Sequence, residues 1–176
     1  LSNSEQVLER LSLDAPEPPD QANLKRIEEQ LPRYLEALNK APDLIRGRNL
    51  FNEHCATCHE ARGLGLMAGP NLDSEWQRAS EIIVRDILFP NESITEGFGT
   101  IRLEMRRGSD VMGLMASESP TSVTLRFPGG QEFTFLKKHI HRIHTHKVSM
   151  MPAQFVDVLA PNEVASIIGF LRHQEP

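Results

Sequence analysis

The chain's two cysteines, Cys55 and Cys58, fall three positions apart, and His59 follows at once, giving Cys55-Ala56-Thr57-Cys58-His59. Two thiols a helical turn apart can each add to one vinyl group of a porphyrin, and the adjacent imidazole then points at the iron. The spacing therefore reads as the attachment site of one c-type haem, covalent through Cys55 and Cys58 with His59 as axial ligand. Three other chemistries compete: a thioredoxin-like redox pair, half of a zinc site, and a structural disulfide. A zinc site wants further cysteines, and the sequence has none. A thioredoxin-type pair follows a strand in a βαβ unit, whereas the residues before Cys55 read as a helix. A low-spin haem carrier needs a second axial ligand, and a thioether is the usual partner of histidine where a high potential is wanted. The candidates are Met67, the strand-like Met105, Met112 and Met115, and the adjacent pair in Ser149-Met150-Met151-Pro152.

The elements that must position this site are helical on both sides. Leu44, Ile45, Leu50 and Phe51 alternate with polar residues at close to helical spacing, placing an amphipathic helix directly before Cys55. Pro161-Asn162-Glu163 opens a segment in which Val164, Ile167, Ile168 and Leu171 recur at the same spacing near the carboxyl end. Gly47 and Phe51 share a face of the first helix, and Gly169 and Phe170 sit inside the last. With the haem motif between them, these helices resemble the first and last helices of class I cytochromes c, which cross at a small residue and an aromatic one. Gly47, Phe51 and Phe170 match those roles.

That resemblance implies further site residues. The class I pattern places the methionine ligand immediately before a proline, which stiffens the loop, so Met151 is the implied second ligand to the haem iron, with Met150 as the fallback. In Gly69-Pro70-Asn71-Leu72 the resemblance implies that the Pro70 carbonyl accepts a hydrogen bond from the other ring nitrogen of His59 and so fixes the ring. Leu72 and Trp76 are then expected to wall the pocket.

Between the Gly-Pro loop and the methionine loop the texture changes. Apolar and polar residues alternate over Phe98 to Met105, Val111 to Ala116, Val123 to Phe127 and Glu132 to Phe135, with turn signals at Arg107-Gly108-Ser109-Asp110 and Pro128-Gly129-Gly130-Gln131. Residues 98–146 are expected to form a small antiparallel insert. This order of elements resembles the haem-binding domain of the Planctomycetes and Verrucomicrobia type over roughly residues 44–173. The expected fold class is mainly α: a cytochrome c fold with a small β insert before the methionine loop, plus a helical amino-terminal extension. The expected division is residues 1–43, an acidic extension with a Pro-rich linker and an amphipathic helix, and residues 44–176, the monohaem domain.

One stretch departs from the family's pattern: Lys138 to Lys147 holds His139, His141, His144 and His146. As a strand it would pair His139 with His141 on one face and His144 with His146 on the other. Such pairs can chelate zinc or copper, and His144 or His146 could replace Met151 on iron, but solvent-facing pairs are the commoner outcome. Lys137, Lys138, Arg142 and Lys147 make the same stretch a basic edge that an acidic partner could use for docking.

In the amino-terminal part, Ala15-Pro16-Glu17-Pro18-Pro19 reads as a stiff linker. Leu24, Ile27, Leu31, Leu35 and Leu38 then mark an amphipathic helix with a kink expected at Pro32. Its stripe suits either the core of this chain or a partner subunit or second copy. The net charge of −5 is concentrated there, because residues 1–44 carry nine acids and five bases while residues 45–176 carry fifteen and fourteen. Nucleic acid is an unsuitable partner for a chain without a basic excess. No apolar run is long enough to span a bilayer, and the export signal is expected to have been removed ahead of Leu1.

With His59 and Met151 on the iron and no acid/base constellation elsewhere, the expected function is outer-sphere electron transfer rather than enzymatic turnover. The alternative is a haem enzyme or small-ligand sensor with a displaceable sixth ligand. The resemblance implies a periplasmic protein that takes electrons from a sugar or alcohol dehydrogenase and passes them to a downstream cytochrome or oxidase.

Overall fold

The computed structural model describes residues 19–173, so most of the expected Pro-rich linker and the residues before it lie outside the described residues. The described residues divide into two compact units, one of residues 19–93 and 151–173 and one of residues 94–150.

The first unit is helical. Helix α1 (Gln21–Ala37) starts where the Asp20 carboxylate accepts the Asn23 N–H at 2.7 Å. Its Ile27, Leu31, Tyr34 and Ala37 are buried, and it runs through Pro32 at the cost of one backbone hydrogen bond. Helix α2 (Leu44–His54) is capped by Asp43 in the same way, at 2.9 Å to the Arg46 N–H. After a two-strand hairpin, β1 (Glu60–Ala61) and β2 (Leu64–Gly65), come α3 (Ser80–Leu88), the single turn α4 (Phe155–Val158) and α5 (Pro161–Arg172). Pro161 suits the first turn of α5, where its missing N–H would have no partner. The apolar stripe of α1 is covered within this unit: Ile27, Leu31 and Tyr34 join Leu50, Phe51, Val164, Ile167 and Ile168 in one core. The Tyr34 hydroxyl donates to the Leu159 carbonyl at 2.7 Å.

Helices α2 and α5 approach as closely as backbones can. A Cβ placed on Gly47 would stand 1.9 Å from the Ser166 carbonyl oxygen, so only glycine permits this crossing. Beside it the fully buried Phe51 meets Phe170 with ring centroids 5.5 Å apart and a 45° tilt.

The second unit is, among the described residues, a five-stranded antiparallel sheet in the order β6-β5-β4-β3-β7. Its strands are β3 (Gly99–Met105), β4 (Val111–Glu118), β5 (Ser122–Arg126), β6 (Glu132–Leu136) and β7 (Ile140–Ser149). The first four form a meander, and β7 returns to lie antiparallel to β3 as an edge strand. Ile101, Leu103, Val111, Val123, Leu125, Phe127, Phe135 and Ile140 form a core of this unit's own.

That sheet overturns the mainly α fold class. The described residues are 38% helical and 25% strand, with five strands rather than a small trim on a helical domain. The added strand is the histidine-rich run. Its apolar residues Ile140, Ile143 and Val148 are too sparse to announce a strand, yet it pairs with β3 along almost its whole length. His139 is not on that strand but in the short 3₁₀ turn Lys137–His139, so it does not share a face with His141.

Candidate functional site

The Cys55–His59 segment continues the end of α2 as a single tight turn. The N–H groups of Cys55 and Ala56 both reach back to the Phe51 carbonyl, at 2.8 and 2.9 Å. Those of Cys58 and His59 then both bond the Cys55 carbonyl, at 3.0 and 2.9 Å. The two thiols are separate and half-buried. Burial, reinforced by the charge of Cys58, pushes the Cys55 thiol up to about 12, and burial raises Cys58 as well. Adding each S–H across a vinyl group would leave an uncharged thioether, which suits a half-buried position.

The His59 ring is held by the Gly69-Pro70 segment. Its Nδ1 lies 2.8 Å from the Pro70 carbonyl oxygen. A carbonyl can only accept, so Nδ1 carries the proton and Nε2 presents its lone pair. Burial keeps the imidazole below its usual range, against the raising effects of the Pro70 carbonyl and of Glu75, so it is neutral at neutral pH. Gly69 packs against the same part of the ring: a Cβ there would stand 2.9 Å from His59 Cε1 and 3.2 Å from Nδ1. A hydrogen bond from the Gly69 N–H to the Cys58 carbonyl, at 2.5 Å, fixes the loop against the turn. A neutral imidazole with a fixed tautomer, two neutral thiols and a cradle that excludes a methyl group fit a covalently held haem.

Met151 is half-buried and packs against the core of the helical unit, to which it belongs with His59. Met150 belongs to the sheet unit. Met67 is 57% exposed, while Met112 is buried in the sheet and Met105 and Met115 pack on its core. Leu72 packs on the helical core and Trp76 is 43% exposed.

Two contributors escape a reading of spacing alone. Arg62, on the tip of the β1–β2 hairpin, donates to the Phe170 carbonyl at 3.0 Å and to that of His173. Its guanidinium also lies 5.3 Å from the centre of the Phe170 ring, which fastens the hairpin to the end of α5. The signal available was Arg62-Gly63 between two short segments, a turn dipeptide. Glu75 is 7% exposed and is held by Arg78 at 2.9 Å, which also grips Asp86 at 2.5 Å. No spacing rule marks a buried carboxylate of this kind.

In the sheet unit His141 and His144 face one carboxylate, Glu104, while His146 Nε2 is buried without a hydrogen-bond partner and its ring centroid lies 6.1 Å from that of His144. His144 Nε2 is 3.2 Å and His141 Nε2 3.8 Å from the two oxygens of Glu104. Among the described residues no group of three or more His, Cys, Asp or Glu is placed to hold a metal ion. No helix among them is long and apolar enough to cross a membrane.

Residues 42–112 match the family model described as cytochrome C oxidase, cbb3-type, subunit III. The matched stretch contains Cys55, Cys58, His59, Gly69 and Pro70 and ends within β4, well short of Met150 and Met151. It supports a c-type cytochrome, a haem-containing electron-transfer protein with covalent haem c. No curated protein matches the chain.

Proposed function

We propose that the protein is a monohaem c-type cytochrome with His59 and Met151 as axial ligands, carrying single electrons between a dehydrogenase and a downstream cytochrome or oxidase. The observation that carries this reading is the arrangement around His59: Nδ1–H on the Pro70 carbonyl at 2.8 Å and Gly69 against the ring. A haem bound there supplies reversible one-electron exchange between ferrous and ferric iron. Cys55 and Cys58 hold the group by thioethers, His59 offers Nε2 to the metal, and Pro70 keeps the ring from turning. The Met151 thioether would be the second protein ligand to the iron, helped by the proline that follows it. Phe51, Leu72 and the apolar core behind them favour the less charged ferrous form.

On this reading residues 1–43 extend a haem domain of residues 44–176, and the protein is of the Planctomycetes and Verrucomicrobia type and works in the periplasm. A sugar or alcohol dehydrogenase is the donor. The test is a redox titration of the haem-loaded protein, followed by exposure of the ferrous form to carbon monoxide. A reversible one-electron wave and a spectrum unchanged by carbon monoxide are expected of a carrier with both axial positions filled. Rapid carbon monoxide binding would replace this reading by a ligand-binding haem protein.

A further inference from the structure

Two dibasic pairs that the sequence holds about thirty positions apart, Arg106-Arg107 and Lys137-Lys138, lie on turns that the backbone of the sheet unit ties together. Strands β3 and β7 are paired up to Met105 opposite Ile140, and the next contact is a hydrogen bond from the Arg106 N–H to the His139 carbonyl, at 2.9 Å. That bond sets the dibasic Arg106-Arg107 turn beside the dibasic Lys137–His139 turn. From there β7 carries Arg142 and Lys147 along the open edge of the sheet. Residues 137–156 contain four lysines and arginines and no acid, in a chain of net charge −5.

Among the described residues, three carboxylates of the sheet unit are already engaged. Glu104 is taken by His144 and His141, Asp110 by Arg102 at 2.6 Å, and Glu118 by Lys137 at 2.6 Å. Among the described residues Arg106, Arg107, Lys138, Arg142 and Lys147 are exposed and make no ion pair. A charged edge also resists pairing with a second sheet, so the strip suits side-chain contact rather than strand addition.

We infer that this strip, from the Arg106-Arg107 and Lys137-Lys138 turns along β7, is a docking surface for an acidic protein. An uncompensated local charge of one sign steers encounter and fixes orientation more than it adds affinity, which suits a short-lived complex. A protein is favoured over an anionic membrane because, among the described residues, the strip is a line of charges whose one exposed large apolar neighbour is Leu136, at 44%, and so has little to insert. That the partner is also a redox partner rests on the function proposed above, and the binding test does not need it.

The test uses the whole protein against immobilised poly-L-glutamate and, separately, phosphatidylcholine vesicles containing phosphatidylglycerol. Between about 0.01 M and about 0.15 M salt the screening length falls from about 30 Å to about 8 Å, so binding to polyglutamate is expected at the low end and is lost at the high end. The combined variant Arg106→Glu, Arg107→Glu, Lys138→Glu is expected to bind about tenfold more weakly or not at all. The variant Arg33→Glu, Lys40→Glu, Arg48→Glu changes net charge equally but lies in the helical unit and is expected to bind as the parent does. The glutamine version of the first variant, which reverses no charge, should fall between. Equal loss in both glutamate variants would overturn the proposal in favour of net charge alone. Binding to the vesicles and not to polyglutamate would overturn it in favour of a lipid surface.

Discussion

The Nδ1 atom of His59 donates to the carbonyl oxygen of Pro70, eleven positions along the chain, over 2.8 Å. The bond fixes the tautomer and the ring plane together, and it places the second nitrogen on the side away from the loop. The presentation of Nε2 to a metal depends on that orientation, and Gly69, one residue before Pro70, makes it sterically possible.

Gly69→Ala places a methyl group 2.9 Å from His59 Cε1. The ring must move or the loop must open, at a cost of about 1–3 kcal/mol typical of overpacking. The expected outcome in the haem-loaded protein is a shifted potential and a partly high-spin ferric spectrum with the haem still attached. An unchanged spectrum would show that the ring is not held by this loop.

Gly47→Ala puts a methyl group 1.9 Å from the Ser166 carbonyl oxygen at the α2–α5 crossing. The helices must separate, and urea unfolding is expected to show a loss of about 1–3 kcal/mol or more. Phe51→Ala removes a fully buried ring from the same crossing and is expected to lose about 3–5 kcal/mol.

The Glu163 carboxyl is held below its ordinary range by Arg46, 2.7 Å away, and by the Ala160 N–H at 3.0 Å, both of which favour the ionised form. A depressed folded value means stabilisation that is complete above the unfolded pKa of about 4.3 and is lost as pH falls through the folded one. The stability advantage of the parent over Glu163→Gln is therefore expected to be constant above about pH 5 and to shrink below about pH 4. Unfolding curves across that range check it.

Met151→Ala is expected to abolish the far-red sulfur-to-iron charge-transfer band of the ferric protein, and Met150→Ala to keep it. Loss of the band in Met150→Ala alone would move the ligand by one residue.

The sequence announces the α2 and α5 helices, the Cys55–His59 turn and four of the sheet's strands because each has a period or spacing that its residues cannot hide. It misjudges the fold class because β7 is an edge strand in which Arg142, His144 and His146 occupy alternate positions, so no apolar alternation marks it. The Gly69 cradle and the Arg62 clasp on Phe170 are contacts between segments 10 and 108 residues apart respectively, and local spacing carries no record of them. Gly47 was legible as a small residue on a helix face, but its 1.9 Å clearance belongs to the crossing and not to either helix.

The most direct test of the central claim is whether haem remains on the chain under denaturing, acid extraction conditions. The protein is made in a host with the haem-attachment machinery, beside a variant with Cys55→Ala and Cys58→Ala. Haem is expected to migrate with the parent polypeptide on a denaturing gel and to be absent from the variant. A parent that releases its haem, or a variant that retains it covalently, would contradict the assignment of Cys55, Cys58 and His59.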